Sequence, residues 1–315
     1  MRARFDVSWG QARAWIETGK ITVDGETVLD EKAHVAAAGV IDLRMNAPKP
    51  KREGALEDAR VVHVDAHIVV VRKPAGVSTI AYEEGERGTL DELVRDWLGK
   101  NEKRERGAGD VRPNLGVVHR IDKETTGLVV FTRTWLAKQS LSSQFRAHTV
   151  HRRYVAIAHG NVETLTVRSH LVADRGDGLR GSLEAMRARA RGASRRVGGD
   201  AQGQLAVTHV ERIAELDGAT LVGCRLETGR THQIRIHLSE AGHPIVGERV
   251  YIRGYASESQ PARVPIVAPR LMLHAAELGF IHPATERPVP WDEPMPADME
   301  AVMQRLLRSR PRSPS

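Results

Sequence analysis

The sequence predicts an α+β protein, one large domain with a small unit ahead of it. Two observations carry that prediction. Short β-rich runs such as "VVHV", "IVVVRK", "GLVVF", "YVAIAH", "LAVTHV" and "LVGCRLE" recur between residues 61 and 227, and segments of helical spacing fall among them. At 315 residues the chain has ample material for one real core and an accessory piece.

Residues 1–45 read as a compact unit. In "SWGQARAWIETGK", Ala12, Trp15 and Ile16 share one face of a short helix, with Ser8 as cap and Gly19 as stop. "ITVDGETVLD" then supplies two short strands around Asp24-Gly25, a dipeptide suited to a tight hairpin. Residues 46–57, rich in Pro, Lys and Glu without periodicity, read as a linker.

The large domain is predicted over 58–306. "ARVVHVDAHIVVVRKPAGV" is two strands about an Asp-Ala-His turn, bending at Lys73-Pro74-Ala75-Gly76. "GTLDELVRDWLG" spaces Leu90, Leu93, Val94 and Trp97 for a helix, and "NEKRERGAGDVRP" follows as a charged loop. "TWLAKQSLSSQFRAH" is a helix capped by Thr134, with Leu141 facing Phe145. "HRRYVAIAHG" is a strand. Residues 174–204 are Gly- and Arg-rich and nearly devoid of large apolar side chains, which predicts an exposed, mobile insertion. Its stretch 187–196 carries five arginines and no acid, a pattern fitting an RNA-contacting arm or a solvated loop equally well. Strands resume at "QLAVTHVERI" and "TLVGCRLE". Ile234, Leu238 and Ala241 then mark a helix that Gly242 ends, and residues 307–315 form a basic tail.

Lys and Arg number 47 against 40 Asp and Glu, a net charge of +7 that favours a polyanionic partner such as nucleic acid. The single cysteine, Cys224, excludes an internal disulfide and a multi-cysteine zinc site. Without an apolar leader or a membrane-length apolar run, a soluble cytoplasmic protein is expected. The fourteen histidines show no metal-ligand spacing, and flanking arginines disfavour a metal at His148 and His151. No glycine-rich phosphate loop for a nucleotide cofactor occurs either.

Three segments hold candidate chemistry. "HRIDKETTGLVV" sets His119, Arg120 and Asp122 directly before a strand bound for the core. "LETGRTHQIRIHLSEAGHPIVGERVY" crowds Arg230, Thr231, His232 and Gln233 at a helix N-terminus. Cations there face a positive dipole, so their natural partner is an anion: a bound phosphate or carboxylate, or else a salt-bridge network within the chain. Tyr154 follows two arginines into a strand, where a lone tyrosine is usually a core aromatic with its hydroxyl bonded. His274 and His282, set among apolar residues, read as structural. Hydrolysis of a glycosidic bond calls for two carboxylates, and the best site offers only Asp122. One carboxylate among arginines, an aromatic and a basic surface suit a cofactor-free reaction at a sugar carbon of RNA.

Together these segments resemble the RluA-like family of RNA pseudouridine synthases. "HRIDKETTGLVVF" is similar to its H-R-L-D-x-x-T-S-G-L motif, with Ile121 for Leu and Thr126 for Ser. "VVVRKPAGV" resembles its K-P-x-G turn, and "HRRYVAIAHG" its K-x-Y strand. "TGRTHQIRIHLSEAGHPIVGERVY" resembles its G-R-T-H-Q-I-R segment, with Glu248 where Asp is usual, and "LMLHAAELGFIHP" its closing stretch. The match spans about residues 58–300 in family order. "ARAWIETGKITVDGETV" also resembles the αL-type RNA-binding module, here with a truncated leading helix and with Ile21 and Asp24 replacing Val and Asn.

The resemblance implies a pseudouridine synthase fold: a mixed, largely antiparallel central sheet and a catalytic cleft. It implies isomerisation of uridine in ribosomal or transfer RNA by a monomer that needs neither cofactor nor metal. Carried over by position, Asp122 is the catalytic carboxylate, as nucleophile or as base. Arg235 would pair with it and favour its charged form. Tyr154 would pack on the base, and Arg120 would fill the gap left by the flipped uridine. His119, Arg230, His232 and Gln233 would make substrate or site-shaping contacts.

Overall fold

The computed structural model describes residues 7–17, 20–23, 25–28, 40–47, 56–106, 113–192, 203–252, 255 and 264–309. The chain divides into two compact units, Met1–Leu56 and Glu57–Ser315. In the first, helix α1 (Trp9–Glu17) starts at Ser8, whose Oγ accepts from the Gln11 N–H at 3.2 Å. Strands β1 (Ile21–Val23) and β2 (Glu26–Thr27) pair with Val23 opposite Glu26, and Gly25 between them has φ +87°, a value only glycine adopts without strain. β3 (Ile41–Leu43) pairs antiparallel on the other side of β1. Gly19, Asp24 and most of the expected linker lie outside the described residues.

The second unit is built on one large sheet. In chain order its elements are β4 (Val61–Val64), β5 (Ile68–Lys73), α2 (Leu90–Arg106), β6 (Gly116–Val117), β7 (Thr126–Thr132), α3 (Trp135–Arg146), β8 (His151–His159), β9 (Leu165–Val172), β10 (Gly181–Ser182), α4 (Leu183–Gly192), β11 (Gln204–Leu216), β12 (Ala219–Leu226), α5 (Gln233–Glu240), β13 (Leu273–Ile281), β14 (Pro288–Asp292) and α6 (Ala297–Ser309). The strand order is β10-β9-β11-β12-β8-β13-β7-β5-β4, with β14 beside β13 and β6 beside β7. Every described pairing is antiparallel except β7 with β13. At that parallel seam Gly127 has φ +116°, and a Cβ there would lie 2.2 Å from the Ala275 carbonyl oxygen. The seam therefore closes only around a glycine.

β-Branched runs form the central strands because both faces of the sheet are covered there. On one face Ile68, Val70, Leu128, Val130, Leu278 and Phe280 pack with Ala137 and Leu141 of α3. Thr134 caps that helix by accepting from the Ala137 N–H at 3.2 Å. Ile236 of α5 packs with Leu171, Ala206 and Tyr251 in a second cluster. The Asp65 carboxylate organises the β4–β5 turn by accepting from the N–H groups of His67 and Ile68. His282 reaches Asp65 Oδ2 at 2.9 Å, and His274 sits 2.9 Å from Thr126 Oγ1 and 3.1 Å from the Glu293 carbonyl, so both histidines are bonded within the fold.

Three expectations need correction, and three strands come in addition. The stretch from Asn101 to Arg106 continues α2 instead of forming a loop: Glu, Lys and Arg are good helix formers, and Glu102 pairs with Arg133. The segment 174–204 is not wholly irregular. Asp174 accepts from the Gly176 and Gly178 N–H groups, β10 adds an edge strand with Gly181 and Ser182 buried, and α4 follows. Of that segment 193–202 lies outside the described residues, including Arg195 and Arg196. At the C-terminus α6 runs to Ser309, with Met299, Val302 and Leu306 buried at helical spacing, so residues 307–309 belong to a helix and not to a tail. Finally, β9, β13 and β14 form strands that the sequence reading left unassigned. Among the described residues no helix is long and apolar enough to cross a membrane.

Candidate active site

The loop before β7 is held at both ends and in its middle. His119 stacks on Phe145 with ring centroids 4.6 Å apart, and its Nε2 accepts from the Val130 N–H at 3.0 Å. Ile121 exchanges two hydrogen bonds with the Thr79 hydroxyl, at 2.8 and 3.2 Å. The Lys123 carbonyl accepts from Lys73 Nζ at 2.7 Å and from the Gly76 N–H at 2.9 Å. The Thr125 N–H closes the turn on the Asp122 carbonyl at 3.0 Å. With its backbone so clamped, Asp122 presents its carboxylate to a cavity of about 540 Å³, the side chain 19% exposed.

Arg235 enters the same cavity from α5. Its Nη1 lies 3.7 Å from Asp122 Oδ2, an ion pair beyond hydrogen-bonding distance. Its stronger partner is Glu248, which takes Nε at 2.7 Å and Nη2 at 2.8 Å. Burial alone would raise the Glu248 carboxyl. The Arg235 hydrogen bonds and charge, with the Val250 and Tyr251 N–H groups, outweigh it and hold the carboxyl below its usual range. For Arg235, within the helix, the anion is supplied by the chain itself, thirteen residues on. The Tyr251 ring centroid lies 5.2 Å from the Arg235 guanidinium.

His232 precedes α5 with φ +58° and ψ +20°, a left-handed conformation that is strained for a residue with a side chain. Its Nδ1 is 2.7 Å from the Tyr251 hydroxyl and its Nε2 4.0 Å from Asp122 Oδ1. Burial lowers its pKa, against the pull of Asp122, so the ring favours its neutral form.

Tyr154, on β8, also lines the cavity. Burial pushes its phenol up to about 12, with Asp122 adding to the shift and Arg152 opposing it. The group is therefore a neutral donor at ordinary pH. Its hydroxyl meets no hydrogen-bond partner among the described residues, unlike a core tyrosine whose hydroxyl is bonded.

The eight predicted site residues, Asp122, Tyr154, Arg235, His119, Arg120, Arg230, His232 and Gln233, all border this one cavity. They are not equally free. The Gln233 amide is consumed inside the fold: Oε1 accepts from the Thr228 hydroxyl and the Arg230 N–H, and Nε2 donates to the Val207 carbonyl and Thr208 Oγ1. Both of its amide hydrogens are engaged within the fold, so it shapes the loop. His119 is similarly engaged with Val130. Arg230 Nε donates to the Leu205 carbonyl at 3.1 Å, leaving its other guanidinium nitrogens at the cavity wall. Arg120 is exposed, its Cζ 5.7 Å from the ring centroid of Tyr82, itself 70% exposed.

With this geometry in view, the family model for RNA pseudouridylate synthase matches residues 67–240. A ribosomal large subunit pseudouridine synthase D of Zymomonas mobilis is 35% identical over 291 residues, 90% of this chain and 84% of that protein. The protein of that name from Pseudomonas aeruginosa is 31% identical over 312 residues, 94% of this chain and 87% of that protein. The chain belongs to the RNA pseudouridylate synthase family. It is an RluA-like pseudouridine synthase, an isomerase that converts uridine to pseudouridine in RNA. The solved structure of human RNA Pseudouridylate Synthase Domain Containing 4 shares the fold, with a TM-score of 0.56 and 24% identity, covering 79% of this chain and 93% of that one.

Two groups that shape the synthase's cavity escaped the sequence reading as site residues. Lys73 is 1% exposed, and its Nζ donates to the carbonyls of Pro74, Val77 and Lys123 at 2.9, 2.7 and 2.7 Å. Burial drives this ammonium down to about 7 while Asp122 and Glu124 pull it back, and three carbonyl acceptors call for the charged form. A second cation, after Arg72, at the end of the apolar run "IVVV" and directly before Pro74 was the available signal. Glu248 lies beyond the matched segment, and nothing local in sequence ties it to Arg235.

Proposed function

We propose that this synthase modifies large-subunit ribosomal RNA, in the cytoplasm where that RNA resides, and that Asp122 is its catalytic carboxylate. The observation that carries the assignment is the Asp122–Arg235 pair at 3.7 Å inside the cavity, with Arg235 fixed from behind by Glu248. A carboxylate so held keeps a lone pair free for a sugar carbon, because among the described residues no neighbour ties it in a short hydrogen bond. The preference for ribosomal over transfer RNA is supported by the names of the relatives from Zymomonas mobilis and Pseudomonas aeruginosa.

In the reaction the C1′–N1 bond breaks, the uracil turns, and C5 bonds to C1′. C5 loses a proton and N1 gains one, so the atoms balance without a co-reactant. The uridine must first leave its stack, which costs a few kcal/mol. Arg120, exposed at the rim beside Tyr82, stacks in its place; Tyr154 supports the base as a neutral phenol. The test is Asp122→Asn, with carbodiimide adduct mapping of an unmodified large-subunit transcript. Loss of pseudouridine with RNA affinity kept within a few-fold supports the assignment, since phosphate contacts carry most of that affinity. Full turnover by the variant refutes it.

A further inference from the structure

Residues 152 and 154 lie two apart on β8, so their side chains share the sheet face that meets the cavity, while Arg153 points the other way. The two arginines differ sharply. Arg153 is bonded to Glu277 at 2.9 Å and to Glu211 at 3.4 Å. Arg152 is only 9% exposed, yet among the described residues no carboxylate lies within ion-pair distance of it, and its buried Nε has no hydrogen-bond partner. Its guanidinium rests 5.6 Å from the Phe145 ring centroid, a contact that uses the charge but no N–H. Buried cations are ordinarily paired, because leaving one bare forfeits its hydration without return.

The chain also makes room for this group. A Cβ on Gly229 would lie 2.8 Å from Arg152 Nη1, and Gly229 has no positive φ that would demand glycine for the backbone's sake. Arg152 stands, moreover, where two cavities meet. With His148, Leu226 and Arg230 it borders both the catalytic cavity and a neighbouring one of about 630 Å³. The second cavity adds Arg168 and Arg225, and its one carboxylate, Glu227, is bonded to His209 at 2.6 Å.

We propose that Arg152 is the buried contact of a phosphodiester subsite at this junction, holding the RNA backbone beside the nucleotide whose base enters the catalytic cavity. The RNA portion rests on the function proposed above. A nucleotide seated at Asp122 carries a phosphate on either side of its ribose, so an anion must lie within one residue of that carboxylate. An arginine fork matches two phosphate oxygens at once, which gives the unbonded N–H groups the partner the fold withholds.

The experiment compares the full-length wild type with Arg152→Gln and Arg152→Lys. Affinity for an unmodified large-subunit transcript is measured across a potassium chloride series. Loss of one phosphate contact flattens the slope of log affinity against log salt by about 0.7–0.9. The expected result is that flattening in the Gln variant, with binding about tenfold weaker at low salt, and a slope near wild type in the Lys variant. Thermal unfolding with and without inorganic phosphate provides an arm free of RNA: phosphate should raise the midpoint of the wild type more than that of Arg152→Gln. An unchanged slope in the Gln variant overturns the proposal, even if turnover falls, because Arg152 would then only support Phe145. If the wild type fails to bind or modify the transcript, the RNA reading is what has failed. The phosphate arm then decides the subsite alone, equal shifts in the two proteins overturning it.

Discussion

Arg235 is bound more closely to Glu248, at 2.7 and 2.8 Å, than to Asp122, at 3.7 Å. The guanidinium thus divides its roles, one edge locked into the fold and the other turned to the cavity. Glu248 is locked in turn by the N–H groups of Arg249, Val250 and Tyr251. This orders the effects of removing each carboxylate.

Glu248→Ala leaves Arg235 buried without its bidentate partner and is expected to cost about 3–5 kcal/mol of stability. Asp122→Ala removes a longer contact and should cost about 1 kcal/mol or less, while the role proposed for it predicts loss of pseudouridine formation. Denaturant midpoints of the two variants check the order. A larger loss for Asp122→Ala would mean that Asp122, not Glu248, anchors the arginine, and equal losses that both do.

Lys73 offers a second test of how the loop is held. Lys73→Met keeps the volume but removes the ammonium from the Pro74, Val77 and Lys123 carbonyls, of which only Lys123 keeps another donor, the Gly76 N–H. Each such group costs about 1–3 kcal/mol when water cannot replace it. A loss of about 3 kcal/mol is expected, together with a fall in kcat that exceeds any change in RNA affinity, because Lys123 adjoins Asp122. A variant with normal stability and turnover would show the ammonium to be dispensable.

How much of this was legible in the sequence follows from how far apart the partners lie. The Asp65 turn, the Thr134 cap and the buried run after Gly127 are local, and their residue types announce them. The stretch Asn101–Arg106 misleads because charged helix formers read as loop when no apolar stripe accompanies them. β10 and α4 escape for a related reason: glycine and arginine dominate the composition, while the burial of Gly181, Ser182 and Leu183 depends on β9. At the site, motif order gathers Asp122, Tyr154 and Arg235 into one cavity. Gln233, in the same motif, turns inward because Thr228, Val207 and Thr208 surround its amide, which no spacing reveals. Glu248 and Arg152 are defined by what they meet, or fail to meet, across the fold.

The acid limb of the stability curve should report on His119. Burial, with Arg152 adding to it, pushes its pKa from the ordinary 6.5 down to about 3, consistent with a neutral ring whose Nε2 accepts from Val130. The folded pKa lies below the unfolded one, so between them the unfolded chain binds the extra proton. Stability from this group is therefore complete above pH 6.5 and is lost as pH falls toward 3, by up to about 1.4 kcal/mol per pH unit. His237, lowered by burial to about 4, acts in the same direction. His119→Gln, whose amide oxygen accepts from Val130 but does not titrate, is expected to flatten the slope of unfolding free energy between pH 6 and 4 by about one proton's worth. Denaturant titrations at several pH values measure it. A slope equal to wild type would mean that His119 already carries its proton in the fold, in which case the Val130 bond cannot be what holds the loop.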